Sequence, residues 1–494
     1  MRRILLVLVA SLSVLTPASA APAADGSELL KPNAQPRRPR NQPLDPRQAA
    51  FRTDVPAHPF DIILGRPTRD SITISILTYS DVEGQLIFGT TAGDYPSHTP
   101  INPLKRGEPN HLHLAPLTAN TQYFYRFRYR PSNSTDFQQS DEFTFRTARP
   151  PGSPFTFTVQ ADSHLDFNTI PQTYAKTLAI ALAEKPDFHF ELGDTFMTDK
   201  YPRYKDAAAQ YLAQRYYFGL LCHSAPLFFV IGNHDGEAGW LLNGGADNMA
   251  IWSNQMRRRY LPNPFPDNFY TGNSTPDPIA GRLENYYAFQ WGDAQFIILD
   301  PFWYTTRKSR SETDNWNRTL GRAQYDWLKQ NLESSKSKFK FIFLHHLVGG
   351  LDKEGRGGAE AAKLFEWGGQ SLDGQSQFAN QRPGWPAPIH GLLIQNHVTA
   401  VFHGHDHLYA RQQLDGINYF EVPQPGSRNS GNAARSATEY GYTHGTILAG
   451  PGHLRIKVTP ESATLEYVPT RNGPVEQETV PNAADSIAIK AISN

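Results

Sequence analysis

Five times between residues 155 and 407 the chain runs through a short apolar stretch and closes it on side chains able to hold a metal. "FTFTVQADSH" ends on Asp162 and His164, "DFHFELGD" on Asp194, and "APLFFVIGNHD" on Asn233, His234 and Asp235. "FKFIFLHH" ends on His345 and His346, and "VTAVFHGHDH" on His403, His405 and His407. Apolar runs of this length, bounded by polar turn residues, predict buried strands. Between them lie segments with helical spacing, such as "TIPQTYAKTLAIALAEKP", which stops at a proline, and "RAQYDWLKQNLESS". Strands alternating with helices, followed by the strand-like "INYFEVP", "GTILAG", "HLRIKVT" and "ATLEYVP", predict an α/β domain with a mixed sheet or two packed sheets. Ligands of open α/β sheets gather beyond the carboxyl ends of the strands, so the five loops can converge. One Gly-Asp or Gly-Asn after a strand is explained by the turn it makes. Five in a row, each bringing Asp, Asn or His, are not.

Ahead of this domain, from about residue 60 to 147, short strand-like runs alternate with turn signals: "SITISILTYS", "GQLIFGTT", "HLHLAPL", "QYFYRFRYR" and "DEFTFRT". In "QYFYRFRYR" Tyr123, Tyr125, Phe127 and Tyr129 alternate with Phe124, Arg126, Arg128 and Arg130, the period of a strand with one buried face. "LTANTQY" resembles the Leu-x-Pro-x-Thr-x-Tyr corner of fibronectin type III domains, with Ala119 in the proline position. That corner holds a tyrosine hydroxyl against backbone at a sandwich edge. The resemblance implies an all-β, fibronectin III-like sandwich over residues 56–148, joined by "ARPPGSP" to an α/β domain over 154–494.

The N-terminus suggests the compartment. "MRRILLVLVASLSVLTPASA" has two arginines, an apolar run from Ile4 to Leu15, and Ala18-Ser19-Ala20 as a small-residue cleavage site. It has the form of a secretory signal peptide over residues 1–20. Residues 21–55 follow as a Pro-rich, polar, aperiodic leader. Cys222 is the only cysteine, so export brings no internal disulfide framework. Lys plus Arg and Asp plus Glu each total 47, which argues against a nucleic-acid partner held by bulk charge. No other run approaches the ~20 apolar residues of a membrane span, so the expectation is a secreted or periplasmic protein without a membrane anchor.

The ordered set "DSH", "GD", "GNHD", "H" and "GHDH" resembles the metallophosphoesterase (calcineurin-like phosphoesterase) superfamily, over about residues 155–470. With a sandwich in front, the layout is similar to that of purple acid phosphatase. The resemblance implies a four-layer α-β-β-α sandwich and a binuclear metal-dependent hydrolase. Carried over, Asp162, His164, Asp194 and His407 would hold one ion. Asp194, Asn233, His345 and His405 would hold the other, with Asp194 bridging. It further implies in-line attack on a phosphomonoester by a metal-bridging hydroxide. His234 would be general acid, oriented by Asp235, and Asn233 and His234 would meet the substrate. Nitrogen and oxygen donors without thiolate suit two divalent transition-metal ions such as Mn, Fe or Zn.

One departure matters. Purple acid phosphatases carry Gly-Asp-x-x-Tyr, whereas here Met197 stands at the tyrosine position and His164 is present. A tyrosinate-bound ferric ion is therefore not expected. A phosphodiesterase or nucleotidase of the same superfamily is the alternative reading. From another class, a surface binding protein with a structural metal domain is a further one. His346 and His403 are expected behind the ligands, as support or packing. Arg257–Arg259 in "QMRRRY" reads as a solvated basic run, and residues 236–283 and 347–388 as long loops without clear periodicity.

Overall fold

The computed structural model describes residues 51–428, 433–471 and 481–492. The signal peptide and nearly all of the leader lie outside the described residues. From Phe60 to Arg146 two antiparallel sheets face each other. One contains Phe60–Gly65, Ile72–Thr78 and Asn110–Leu114, and the other is built around Val82–Gly89 and Gln122–Arg130. Their inner faces share a core that includes Ile62, Ile74, Leu86, Tyr125 and Phe127. The alternation in Gln122–Arg130 is the one its sequence shows: Tyr123, Tyr125 and Phe127 are buried and their neighbours are not. The Tyr123 hydroxyl accepts the Thr118 N–H at 2.8 Å, closing the corner the motif implied.

Two further sheets stack in the second region. The first runs in the order Leu227–Phe229, Phe188–Glu191, Phe155–Gln160, Gly452–Val458, Ser462–Pro469, Asp485–Lys490, its first three strands parallel. The second has eight strands, with Ala294–Ile298, Phe339–Phe343, Ala400–His403 and Ile417–Glu421 parallel at its centre. Between the sheets lies a core dominated by phenylalanine, where the Phe190 and Phe343 rings stack at 4.0 Å. Phe341 and Phe343 face this core, while Ile342 faces outward to a second core under the helices Arg322–Ser334 and Ile389–Gln395. Helices Pro171–Ala183 and Ala208–Cys222 cover the other sheet. Strands buried on both faces are mostly apolar, which explains the runs in the sequence, and the polar exceptions are held by hydrogen bonds, as Gln160 is by Glu191 and Lys340 by Asn396 O. The architecture is the four-layer α-β-β-α sandwich expected.

Two readings change. The segment after Gly236 is not an extended loop throughout, since Met249–Tyr260 is a helix whose N-cap Asn248 accepts the Ile251 N–H at 3.0 Å. Its basic run is not simply solvated either. Arg257 is fully buried and holds Glu237 through Nε at 2.6 Å and Nη2 at 2.9 Å. The helix lacks an apolar stripe because Asn254 and Arg257 occupy part of its buried face, where Asn254 Nδ2 and Arg257 Nη2 donate to Glu237 and the Leu283 carbonyl.

Among the contacts that fasten the two regions, one buried arginine stands out. Arg215, on the helix Ala208–Cys222, is buried, and its Nη atoms donate to Ser75 Oγ (3.0 Å), Ser75 O (3.1 Å), Asp61 O (3.4 Å) and Tyr260 O. The Tyr125 hydroxyl, from the sandwich core, donates to His223 O at 2.6 Å.

Candidate metal centre

Because Phe155–Gln160, Phe188–Glu191 and Leu227–Phe229 are parallel neighbours, the loops carrying Asp162, Asp194 and Asn233 leave the sheet at one edge. Phe339–Phe343 and Ala400–His403 do the same for His345, His405 and His407 in the opposing sheet. Polar contacts tie the two edges together. His345 Nδ1 donates to Leu192 O at 2.8 Å, and the His405 N–H donates to Asp162 Oδ2 at 2.8 Å. The approach is close enough to require glycine. A Cβ on Gly232 would lie 2.0 Å from Asp194 N, and one on Gly404 2.6 Å from Asp162 Oδ2. Asp162, Asp194, His405 and His407 adopt left-handed backbone (φ 57, 55, 87 and 57°), a conformation that costs non-glycine residues of order 1–3 kcal/mol and concentrates at functional sites.

The chain thus assembles two groups of side chains, Asp162 with His164 and His407, and Asp194 with His345 and His405. Within each group the donor atoms lie within 4.8 Å of one another. His164 Nε2 and His407 Nε2 are 3.2 Å apart, and His407 Nε2 lies 3.4 Å from Asp162 Oδ1. His345 Nε2 lies 3.2 Å from Asp194 Oδ2 and 3.0 Å from Asn233 Oδ1, which brings Asn233 to the second group. Asp162 Oδ1 and His405 Nε2 are buried without any hydrogen-bond partner. Buried polar atoms are ordinarily paired, and two orphans at the convergence of seven donor side chains fit cation ligands. The electrostatics agree. Burial works against the His345 cation, yet the adjoining Asp194 carboxylate prevails and raises it to about 10. Burial and the neighbouring His345 charge push His405 well below the ordinary histidine range. His407 is 38% exposed and marks the solvent side.

His234 reaches the same opening, its side chain 22% exposed, with Nε2 3.9 Å from Asp194 Oδ2. Its partner differs from the sequence expectation. Nδ1 lies 3.0 Å from both carboxylate oxygens of Asp199, not against Asp235. Asp235 is buried and faces backbone: Oδ1 accepts the N–H of Thr195 and Phe196 (both 2.8 Å), and Oδ2 those of Asp194 (3.0 Å) and Gly232 (2.7 Å). A short carboxylate one residue past His234 satisfies the two converging loops instead of the ring. Asp199 escaped the sequence reading because it lies in the short helical turn Thr198–Lys200, past the strand-end pattern. Its signal is an acid five residues after Asp194.

The remaining histidines sit behind the two groups. His403 Nδ1 lies 2.7 Å from Glu421 Oε2, both buried; burial lowers the histidine to about 4 and raises the glutamate, so the pair is neutral. His346 Nδ1 donates to Leu347 O at 2.8 Å, leaving Nε2 to accept from Arg318 Nη1 at 3.0 Å. Arg318 is a second residue the sequence reading missed, because nothing in its loop is periodic.

Residues 155–409 match the family model of the calcineurin-like phosphoesterases, and the chain belongs to that family of phosphoester hydrolases. Among solved structures it is similar to PhoD, at 16% identity and a TM-score of 0.63, covering 89% of this chain and 91% of that one. It is also similar to the purple acid phosphatase PPD1 of yellow lupin (Lupinus luteus) seeds, at 16% identity and a TM-score of 0.56, covering 87% of this chain and 74% of that one. The layout of a β-rich region ahead of the phosphoesterase domain is common to both. No curated protein matches this sequence. Among the described residues no helix is long and apolar enough to cross a membrane.

Proposed function

We propose that the chain is a secreted, binuclear metal-dependent phosphatase that hydrolyses phosphomonoesters. The observation that carries this reading is the pair of donor groups, with their orphaned Asp162 Oδ1 and His405 Nε2, beside a histidine anchored for proton transfer. Asp162, His164, Asp194 and His407 would hold one ion, and Asp194, Asn233, His345 and His405 the other, with Asp194 shared. The mixed nitrogen and oxygen donors suit Mn, Fe or Zn. Bound there, the two ions would supply Lewis acidity and an activated water nucleophile. The protein supplies the proton. His234, its Nδ1 held by Asp199, is the group whose Nε2–H reaches the leaving-group oxygen, and the Asp199 carboxylate fixes the ring. Asn233 and His234 position the ester. Secretion rests on the N-terminal signal-like segment, and the fibronectin III-like label on the tyrosine corner and the two-sheet sandwich.

The test is hydrolysis of an aryl phosphate by protein loaded with Mn, Zn or Fe. His234→Ala is expected to retain both ions and lose roughly 10²- to 10⁴-fold in kcat. Asp199→Asn should fall in the same direction by a smaller factor. A loaded protein whose turnover is indifferent to His234→Ala would reject the assignment.

A further inference from the structure

A small cleft beside Asn233 is also lined by Arg318, Lys308 and Glu354. Arg318 is 5% exposed, and burial draws its guanidinium down to about 10 against the opposing pull of Glu354 and Asp352. Its hydrogen bonds go to neutral partners only. Nη2 donates to Lys353 O at 2.8 Å, Nη1 to His346 Nε2 at 3.0 Å, and Nε lies 3.5 Å from Asn315 Oδ1. Among the described residues no carboxylate lies within ion-pair distance of it.

Of the other buried arginines, Arg257 is paired with Glu237, and Arg215, like Arg318 without a carboxylate partner, has acceptors for all four of its Nη hydrogens. A guanidinium carries five N–H donors, so Arg318 keeps one unused on each Nη nitrogen. Glu354 and Asp352 offset the charge only from beyond contact distance, and a buried cation with no direct ion pair gains from an anion that completes it. Its location fits such an anion. His346, the acceptor that holds Nη1, has its ring 5.3 Å from that of His405, and Asn233 is on the same cleft wall.

We propose that Arg318 is the phosphoryl-binding residue of this site, its two unused N–H groups reaching non-bridging oxygens, and that it sets a preference for dianionic phosphate monoesters over monoanionic diesters. Planar guanidinium and tetrahedral oxyanion make two parallel hydrogen bonds, a geometry lysine lacks. The exposed Lys308 adds a second positive charge at the cleft rim. A monoester brings a doubly charged terminal group with three free oxygens, and a diester brings one charge and two. The cation therefore discriminates between them. This inference rests on the phosphatase reading and names the substrate class for the same site.

The experiment compares kcat/KM for an aryl phosphate and a bis-aryl phosphate, with inhibition by inorganic phosphate, in metal-loaded wild type, Arg318→Gln, Arg318→Lys and Lys308→Ala. Arg318→Gln is expected to lose roughly 10- to 100-fold on the monoester, mainly in KM, and less than about 5-fold on the diester, with phosphate inhibition weakened in step. Arg318→Lys should recover part of the monoester loss. Lys308→Ala, at an exposed position, should shift the ratio the same way by a few fold, and it serves if Arg318→Gln fails to fold. Equal losses on both esters would overturn the proposal, as would an unmoved ratio in Lys308→Ala when Arg318→Gln is unfolded; either leaves Arg318 as a support for the Lys353 loop. A wild type that turns over neither ester, or prefers the diester, would instead overturn the monoesterase reading beneath it.

Discussion

His405→Ala and His407→Ala are each expected to remove one ion and cost roughly a thousandfold or more in turnover, while His403→Ala keeps both ions and most of its activity. The proposed ligands and the bystander sit at alternate positions over five residues, so composition cannot separate them, but their surroundings do. His405 Nε2 is buried with no hydrogen-bond partner in the group it forms with Asp194 and His345, and His407 Nε2 faces Asp162 and His164, whereas His403, whose Nε2 is also unpaired, belongs to neither group and has its Nδ1 committed to Glu421. Losing one ion removes several kcal/mol of transition-state charge stabilisation, which converts to the stated factor. His403→Ala leaves a buried, uncharged Glu421 short of one hydrogen bond, a stability cost of about 1–3 kcal/mol. Metal stoichiometry by plasma mass spectrometry, read beside turnover, separates the three variants. Equal metal loss in His403→Ala would contradict the assignment.

Asp235→Asn is expected to be the more destructive change, although Asp235 touches neither a proposed ion nor the His234 ring. Each of its carboxylate oxygens accepts two backbone N–H groups, from loops that carry Asp194 and Asn233. An asparagine offers one oxygen. Whichever way its amide turns, two buried N–H groups lose their acceptor and face another donor. At about 1–3 kcal/mol for each unsatisfied group, the loss comes to about 4 kcal/mol, a large share of a typical domain's stability. The two loops should part, so metal binding and turnover fall together with the melting temperature. An unchanged melting temperature by calorimetry would show that these four contacts are dispensable.

These two cases show what the sequence could and could not disclose. Every proposed ligand was legible, because a parallel strand ends at one sheet edge whatever the other strands do, and the residue after the apolar run inherits that position. The four layers were legible for a related reason: a doubly buried strand is mostly apolar, and runs of that kind alternate with segments of helical spacing. The tyrosine corner was readable because it is local, closing between Thr118 and Tyr123, five positions apart. Asp199 and Arg318 were not. Each reaches the site from an irregular segment, and only the tertiary fold decides that Asp199 meets His234 across 35 residues, or that Arg318 meets His346 across 28. Asp235 was assigned to the His234 ring and instead holds backbone N–H groups, since adjacency in sequence says nothing about where a carboxylate turns. The helix Met249–Tyr260 escaped because a hidden ion pair took the place of an apolar stripe.

Arg215 makes the sandwich something other than a detachable accessory. A chain trimmed to begin near residue 154 would keep the guanidinium in its helix and lose Ser75 and Asp61, three of its four Nη acceptor contacts. It would also uncover the face on which Tyr125 and His223 meet. The charge that joins the two regions in the whole protein would then work against the part left behind. The two should therefore melt in one calorimetric transition, and the shortest chain that folds by itself should extend back through the sandwich.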